Sequence, residues 1–273
     1  MDSSSDPSGS WLFQRHFIGA EFEDALFNTD NELRERACSW KIVSSLMHFS
    51  ALASGTWRWR AVGIPLNLLD RSLEGDFDLL VAMQPPPKMD QGRCVFPSPI
   101  YRSFELKTAK ITRTGDVTSL KLGKFHKTIG QLQKLCDIGA QQVFLLEAFI
   151  IEAGYSTHGI LAMPQRVREA VADKYEQITR AEYGYVAMAI EQIPDFAEEA
   201  TGIVWPTVTL KSATTKEPSG PFLDIIKTVE DYIEKSAVNR ARDVVTYCYN
   251  CRKLTHTHRA GPYWCRDCES PFV

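Results

Sequence analysis

Gly75-Asp76-Phe77-Asp78-Leu79-Leu80-Val81 and, further along the chain, Ser103-Phe104-Glu105-Leu106-Lys107 are the stretches that decide how this sequence folds. Each reads as a strand of apolar residues interrupted by ionisable ones. Side chains alternate between the faces of a strand, so Asp76 and Asp78 share one face, opposite Phe77 and Leu79. Glu105 and Lys107 likewise share a face opposite Phe104 and Leu106. If the two strands are neighbours, Asp78, Glu105 and Lys107 converge. Charges set against an apolar sheet are costly unless they pair or hold a metal, so three of them on strand interiors call for a site.

Outward from these strands the pattern is mixed. Upstream, Leu33, Ala37, Trp40, Val43, Leu46 and Met47 recur at helical spacing and predict a helix from Asn31 to about Ala53, which Asp30 or Asn31 can cap. Thr56–Leu66, with Trp57, Arg58, Trp59 and Arg60, predicts a strand able to form a hairpin with Gly75–Met83. Gln84–Pro99 holds Pro85, Pro86, Pro87, Pro97 and Pro99 and reads as a long surface loop that no sheet interior accommodates. Beyond the strand Ile100–Thr108, a helix over Lys124–Ile138 shows Ile129, Leu132, Leu135 and Cys136 on one face and closes at Gly139. Gln142–Ile151 then reads as a buried strand. Further helices are expected over Pro164–Glu182 and Phe222–Val245, a strand over Tyr183–Ile190, and irregular chain over 191–222.

The 273 residues, 44% apolar and 24% charged, describe a soluble globular chain long enough for a substantial core. A formal net charge of -3 supplies no global attraction to polyanions, so any such surface must be local. The apolar run Val143–Ile151 is broken by Glu147 and falls far short of the roughly 20 residues of a membrane helix, so no membrane span is expected. Met1–Ser10 is Ser-rich, without the basic start and apolar core of a secretory signal. The expectation is a disordered tail over 1–15, a main domain over 16–240 and a small unit over 241–273, in an intracellular protein of the cytoplasm, nucleoid or nucleus.

Asp78 with Leu79-Leu80-Val81, then Glu105-Leu106-Lys107, then a helix carrying His126-Lys127-Thr128-Ile129-Gly130-Gln131-Leu132, resembles the PD-(D/E)XK nuclease superfamily over roughly residues 20–151. The resemblance implies an α/β, restriction-endonuclease-like fold, a mixed central sheet flanked by helices, with the acid and the Glu-x-Lys on adjacent strands. It also implies a divalent metal, Mg2+ or Mn2+, on Asp78 and Glu105, with Lys107 and Gln131 as further catalytic residues. Glu32 stands where members contribute a carboxylate from the first helix, with Glu23 and Glu35 as rivals, and Asp76 competes with Asp78. The chain departs from the family's pattern in lacking the proline, since Gly75-Asp76-Phe77 precedes Asp78, and in the length of the proline-rich gap before Glu105. The chemistry suits the residue types. Magnesium takes oxygen ligands and keeps several waters, so one or two carboxylates plus phosphate oxygens hold it. A lysine ammonium is compact enough to approach a water and a phosphate together.

Of seven cysteines, four form Cys248-Tyr249-Asn250-Cys251 and Cys265-Arg266-Asp267-Cys268, two Cys-x2-Cys pairs across a thirteen-residue spacer. That spacing predicts a closed structural zinc site, a zinc ribbon, because four thiolates leave no open coordination position. His256 and His258 lie in the spacer. The resemblance also implies a rival, since some members of the superfamily hold an iron–sulfur cluster on one early and three late cysteines, and Cys38 stands as the early one. Basic residues from Arg240 to Arg266, interleaved with Tyr249, Tyr263 and Trp264, fit either nucleic-acid phosphates and bases or a solvated ribbon docked on the main domain. Lys107, Lys110, Arg113, Lys121, Lys124, Lys127 and Lys134 form a second basic cluster. The function that the resemblance implies is metal-dependent phosphodiester hydrolysis, on DNA before RNA because that is the family's usual substrate. The alternatives are a non-catalytic nucleic-acid-binding scaffold or a protein-interaction module, with possible protein partners.

Overall fold

A computed structural model describes residues 16–19, 35, 38–40, 42, 56–69, 72–118, 125–155, 163–192, 200–204, 208–240, 243–258, 265, 267 and 268. The amino-terminal tail 1–15, Glu23 and Glu32 lie outside them. In chain order, β1 (His16–Gly19) precedes helical residues 35, 38–40 and 42, followed by β2 (Thr56–Pro65) and β3 (Asp76–Gln84). A short pair, β4 (Lys88–Asp90) and β5 (Arg93–Val95), separates these from β6 (Ile100–Ile111) and β7 (Val117–Thr118). Helix α1 (Phe125–Asp137), β8 (Gln142–Ile151), α2 (Gln165–Thr179) and β9 (Gly184–Gln192) come next. The chain continues through β10 (Ala200–Val204), β11 (Val208–Lys211), α3 (Gly220–Lys235), β12 (Asp243–Cys248) and β13 (Lys253–His258).

A large mixed sheet runs in the order β1-β10-β9-β8-β6-β3-β2-β12-β13, with β11 beside β9 and β7 beside β6. Strands β2, β3 and β6 are antiparallel neighbours, while β6–β8 and β8–β9 are parallel. All ten residues of β8 are buried, as its continuous Val, Leu, Phe and Ile composition requires of a strand covered on both faces. Phe144, Leu146, Ala148 and Ile150 join a core with Trp40, Ile42, Phe104 and Leu106. Val143 and Leu145 instead face Leu132 and Leu135 of α1 and Phe222 and Ile226 of α3. The period-2 alternation thus divides the apolar residues between two layers of helix. The α1–β8 turn closes as its sequence predicts: Gly139 has φ 92, and Ala140 N–H donates to Leu135 O at 3.1 Å.

Three sequence expectations need correction. The final helix does not reach Val245. It stops at Lys235, Ala237 turns the chain at φ 52, and 243–248 is a strand. Val244, Val245 and Thr246 are β-branched, and the free edge of β2 offers them backbone partners that a helix could not use. Residues 191–222 are not wholly irregular, since they contain β10, β11 and the start of α3. The proline-rich segment stays out of the main sheet but folds back as the separate pair β4–β5, turning at Gln91 and Gly92, both at positive φ. The cysteine-bearing hairpin β12–β13 extends the main sheet, with β12 parallel to β2 through Val245↔Ala61 and Thr246↔Val62.

Candidate functional site

The β3–β6 ladder pairs Met83 with Ile100 through Leu79 with Phe104. Where it ends, the Asp78 side chain takes over: its Oδ2 accepts the Leu106 N–H at 2.7 Å. A carboxylate in place of a ladder carbonyl keeps that amide satisfied and anchors Asp78 against the Glu-x-Lys strand. Phe104 and Leu106 are fully buried in the sheet core, which by alternation sends Glu105 and Lys107 to the opposite face. Lys107 Nζ donates to Glu105 Oε1 at 2.6 Å and stands 4.0 Å from Glu35 Oε2.

These groups line one cleft of about 540 Å3, whose walls also carry Asp76, Gln131 and Lys127. Helix α1 supplies Gln131 because Leu132 and Leu135 seat it on the sheet and turn the polar face toward the cleft. Of the residues expected from sequence, Asp78, Glu105, Lys107 and Gln131 therefore meet. Of the rival carboxylates on the first helix, Glu35 is the one the described residues place there. It shares a helix face with Ser39, one turn on, which lines the same cleft, but the helical period alone does not separate it from its rivals. Glu147, the acid that interrupts the apolar run, stays out: it is buried with Lys174 Nζ and Tyr185 OH as hydrogen-bond donors.

The electrostatics of the cleft are those of acids short of cations. Burial, reinforced by the Glu105 carboxylate, raises the Asp78 pKa well above its ordinary value. Burial also raises Glu105, against the opposing pull of Lys107. At Lys107, burial alone would lower the pKa, but Glu105, Asp78 and Glu35 outweigh it and hold the ammonium above its ordinary value. Carboxylates that resist ionisation beside a single paired lysine form an oxygen donor set that a hard divalent cation would stabilise.

The four carboxyl-terminal cysteines come together. All four sulfurs lie within 4.8 Å of one another, with Cys248 Sγ 3.6 Å from Cys268 Sγ and Cys251 Sγ 3.7 Å from Cys265 Sγ. Sulfurs at about 2.3 Å from a tetrahedral zinc are about 3.8 Å apart, so the donor set fits that ion. The Cys251 N–H donates to Cys248 Sγ at 3.3 Å, which orients the first knuckle. As a thiol, Cys248 is pushed up by burial, and hydrogen bonding to Cys268 pushes Cys251 far above its usual range. A metal that accepts thiolates would remove this conflict. Of the spacer histidines, His256 takes no part in the cluster: its Nδ1 hydrogen-bonds Tyr232 OH at 2.8 Å. Cys38 is buried in the core beside Cys248 and Cys265 and is not one of the four clustered sulfurs.

No protein-family profile matches the chain, and no curated protein is significantly similar to it in sequence.

Proposed function

We propose that this protein is a metal-dependent nuclease of the PD-(D/E)XK type that hydrolyses phosphodiester bonds, DNA before RNA. The observation that carries the proposal is the meeting of Asp78, Glu105, Lys107 and Gln131 in one cleft, from two strands and a helix that a proline-rich segment and a long loop separate in sequence. Asp78 and the Glu-x-Lys stand on adjacent strands, β3 and β6, which is the placement the resemblance calls for.

Asp78 and Glu105 would hold Mg2+ or Mn2+, and Glu35 adds a third carboxylate to the same cleft. When bound, such an ion lowers the pKa of a water and offsets phosphate charge. Lys107 keeps its ammonium protonated between the carboxylates, where it can donate to a nucleophilic water or a phosphate oxygen and balance charge that develops in the transition state. Gln131 offers an amide on the helix side to orient either group. Lys127 and Lys134 on α1 give the cleft wall a positive margin for the flanking phosphates.

The test is cleavage of single-stranded DNA, duplex DNA and RNA with Mg2+ or Mn2+, comparing wild type with Glu105→Ala and Lys107→Ala. Expected is a loss of at least about 100-fold in each variant with circular dichroism unchanged. Cutting that survives in both variants removes these residues from the site. Binding without cutting by the wild type turns the assignment to a nucleic-acid-binding scaffold on the same fold.

A further inference from the structure

The tip of the cysteine hairpin stands at the same end of the sheet as the cleft. Strand β12 runs parallel to β2, with Thr246 opposite Val62, and Val62 and Gly63 line the cleft. Both strands therefore leave the sheet in one direction, β2 at Pro65, which pairs with Asp76, and β12 at Cys248. Strand spacing and rise place the Tyr249 backbone on the order of 12 Å from Asp78, two strands across and two residues on. Tyr247 lies opposite Leu254, which packs against the core layer shared by α1 and α3, so it stands on the sheet face that those helices cover. The Tyr249 ring contacts it edge-on with centroids 5.1 Å apart, and Tyr249 is 59% exposed.

Two further observations concern charge. Lys253 is paired with Asp267, whereas Arg252 is exposed and has no ion-pair partner among the described residues. Arg252 also occupies the left-handed region at φ 55, in a four-residue turn where glycine would sit without strain. A strained position kept by a long cationic side chain points to a use for that side chain.

We propose that the knuckle formed by Tyr247, Tyr249 and Arg252 is a binding platform for an unpaired nucleic-acid strand leading into the cleft, a role that rests on the nuclease assignment and narrows its substrate to strands with unpaired bases. An exposed tyrosine stacks on any base, and a guanidinium beside it takes the adjoining phosphate. Bases paired inside a duplex offer no face to such a ring. The zinc site thereby gains a function beyond folding its own segment: it holds the aromatic and the cation at a fixed offset from the carboxylates.

The experiment is fluorescence anisotropy with a labelled oligo-dT strand and with the same length of duplex, without divalent metal so that nothing is cut, across a salt series. Tyr249→Ala changes an exposed ring, and Arg252→Gly suits the left-handed backbone, so neither disturbs the fold; zinc content and melting check this. Expected is a loss of about tenfold in single-strand affinity for Tyr249→Ala. For Arg252→Gly the slope of log affinity against log salt should fall by about 0.7, one phosphate contact on a single strand. Duplex binding should change less in both. Unchanged single-strand affinity and salt slope in the two variants, or a wild type that binds duplex and single strand equally, overturns the platform. The nuclease assignment fails separately, on cutting that survives Glu105→Ala and Lys107→Ala.

Discussion

Asp78 and Glu105 are acids whose ionisation the fold opposes. Burial raises both carboxyl pKa values, so the folded chain keeps protons that the unfolded chain releases. Stability from these groups is full below the ordinary carboxylate range near pH 4 and falls as the pH climbs through their raised values. Asp78→Asn keeps an oxygen for the Leu106 N–H but never ionises. We expect this variant, free of divalent metal, to melt about 2 °C or more above wild type at pH 8, the effect of roughly 1 kcal/mol in a chain this long, with the gap closing toward pH 4. Mn2+ should raise the wild-type Tm increasingly over the same pH range and leave the variant unmoved. Thermal melts at several pH values with and without Mn2+ decide it, and parallel melting curves for the two proteins would refute the charge conflict in the cleft.

Two elements are held by contacts that substitutions can isolate. At the α1–β8 turn, a Cβ on Gly139 would lie 2.1 Å from the Ser219 carbonyl oxygen, in a backbone conformation that side chains avoid. Gly139→Ala is therefore expected to cost about 2 kcal/mol or more, read as a lower urea midpoint with an unchanged slope. The hairpin β12–β13 carries the four-cysteine cluster that fits a structural zinc, and its Cys248 shares a core with Cys265, Cys38, Trp40, Ile42 and Val62. Stripping zinc with a selective chelator should release one equivalent of metal and lower the Tm by roughly 10 °C or more. It should also weaken Mn2+ binding in the cleft, because Val62 and the helix bearing Glu35 lose the surface they rest on. Full retention of Mn2+ affinity in the stripped protein would show that the hairpin and the cleft are energetically independent.

At the scale of the molecule, the sheet makes one continuous structure of the cleft and the cysteine site. Truncation after Arg240 would uncover the β2 edge at Ala61 and Val62 and remove Val244, Cys248 and Cys265 from the core. An exposed strand edge beside an opened core favours aggregation. The shortened chain should elute as aggregate and lose its sigmoidal melt; a monomer with a sharp transition would show that 243–268 is an appendage after all.

The local sequence by itself determined a good deal. Alternation set Phe104 and Leu106 on one face and Glu105 and Lys107 on the other, the helical period put Leu132 and Leu135 against the sheet, Gly139 marked the turn, and each Cys-x2-Cys pair marked half of a metal-type cluster, because each of these depends only on residues a few positions apart. Other features were decided by distant partners. Glu35 joined the cleft through a long-range approach to Lys107, and Val244–Thr246 became a strand instead of a helix end because the edge of β2 was open to them. The register that stops the β3–β6 ladder beside Asp78, and the parallel docking that brings the knuckle to the cleft end of the sheet, are pairings between far segments. Local propensity differs little between such alternatives, and the hydrogen bonds and apolar contacts that choose among them exist only once the chain has closed on itself.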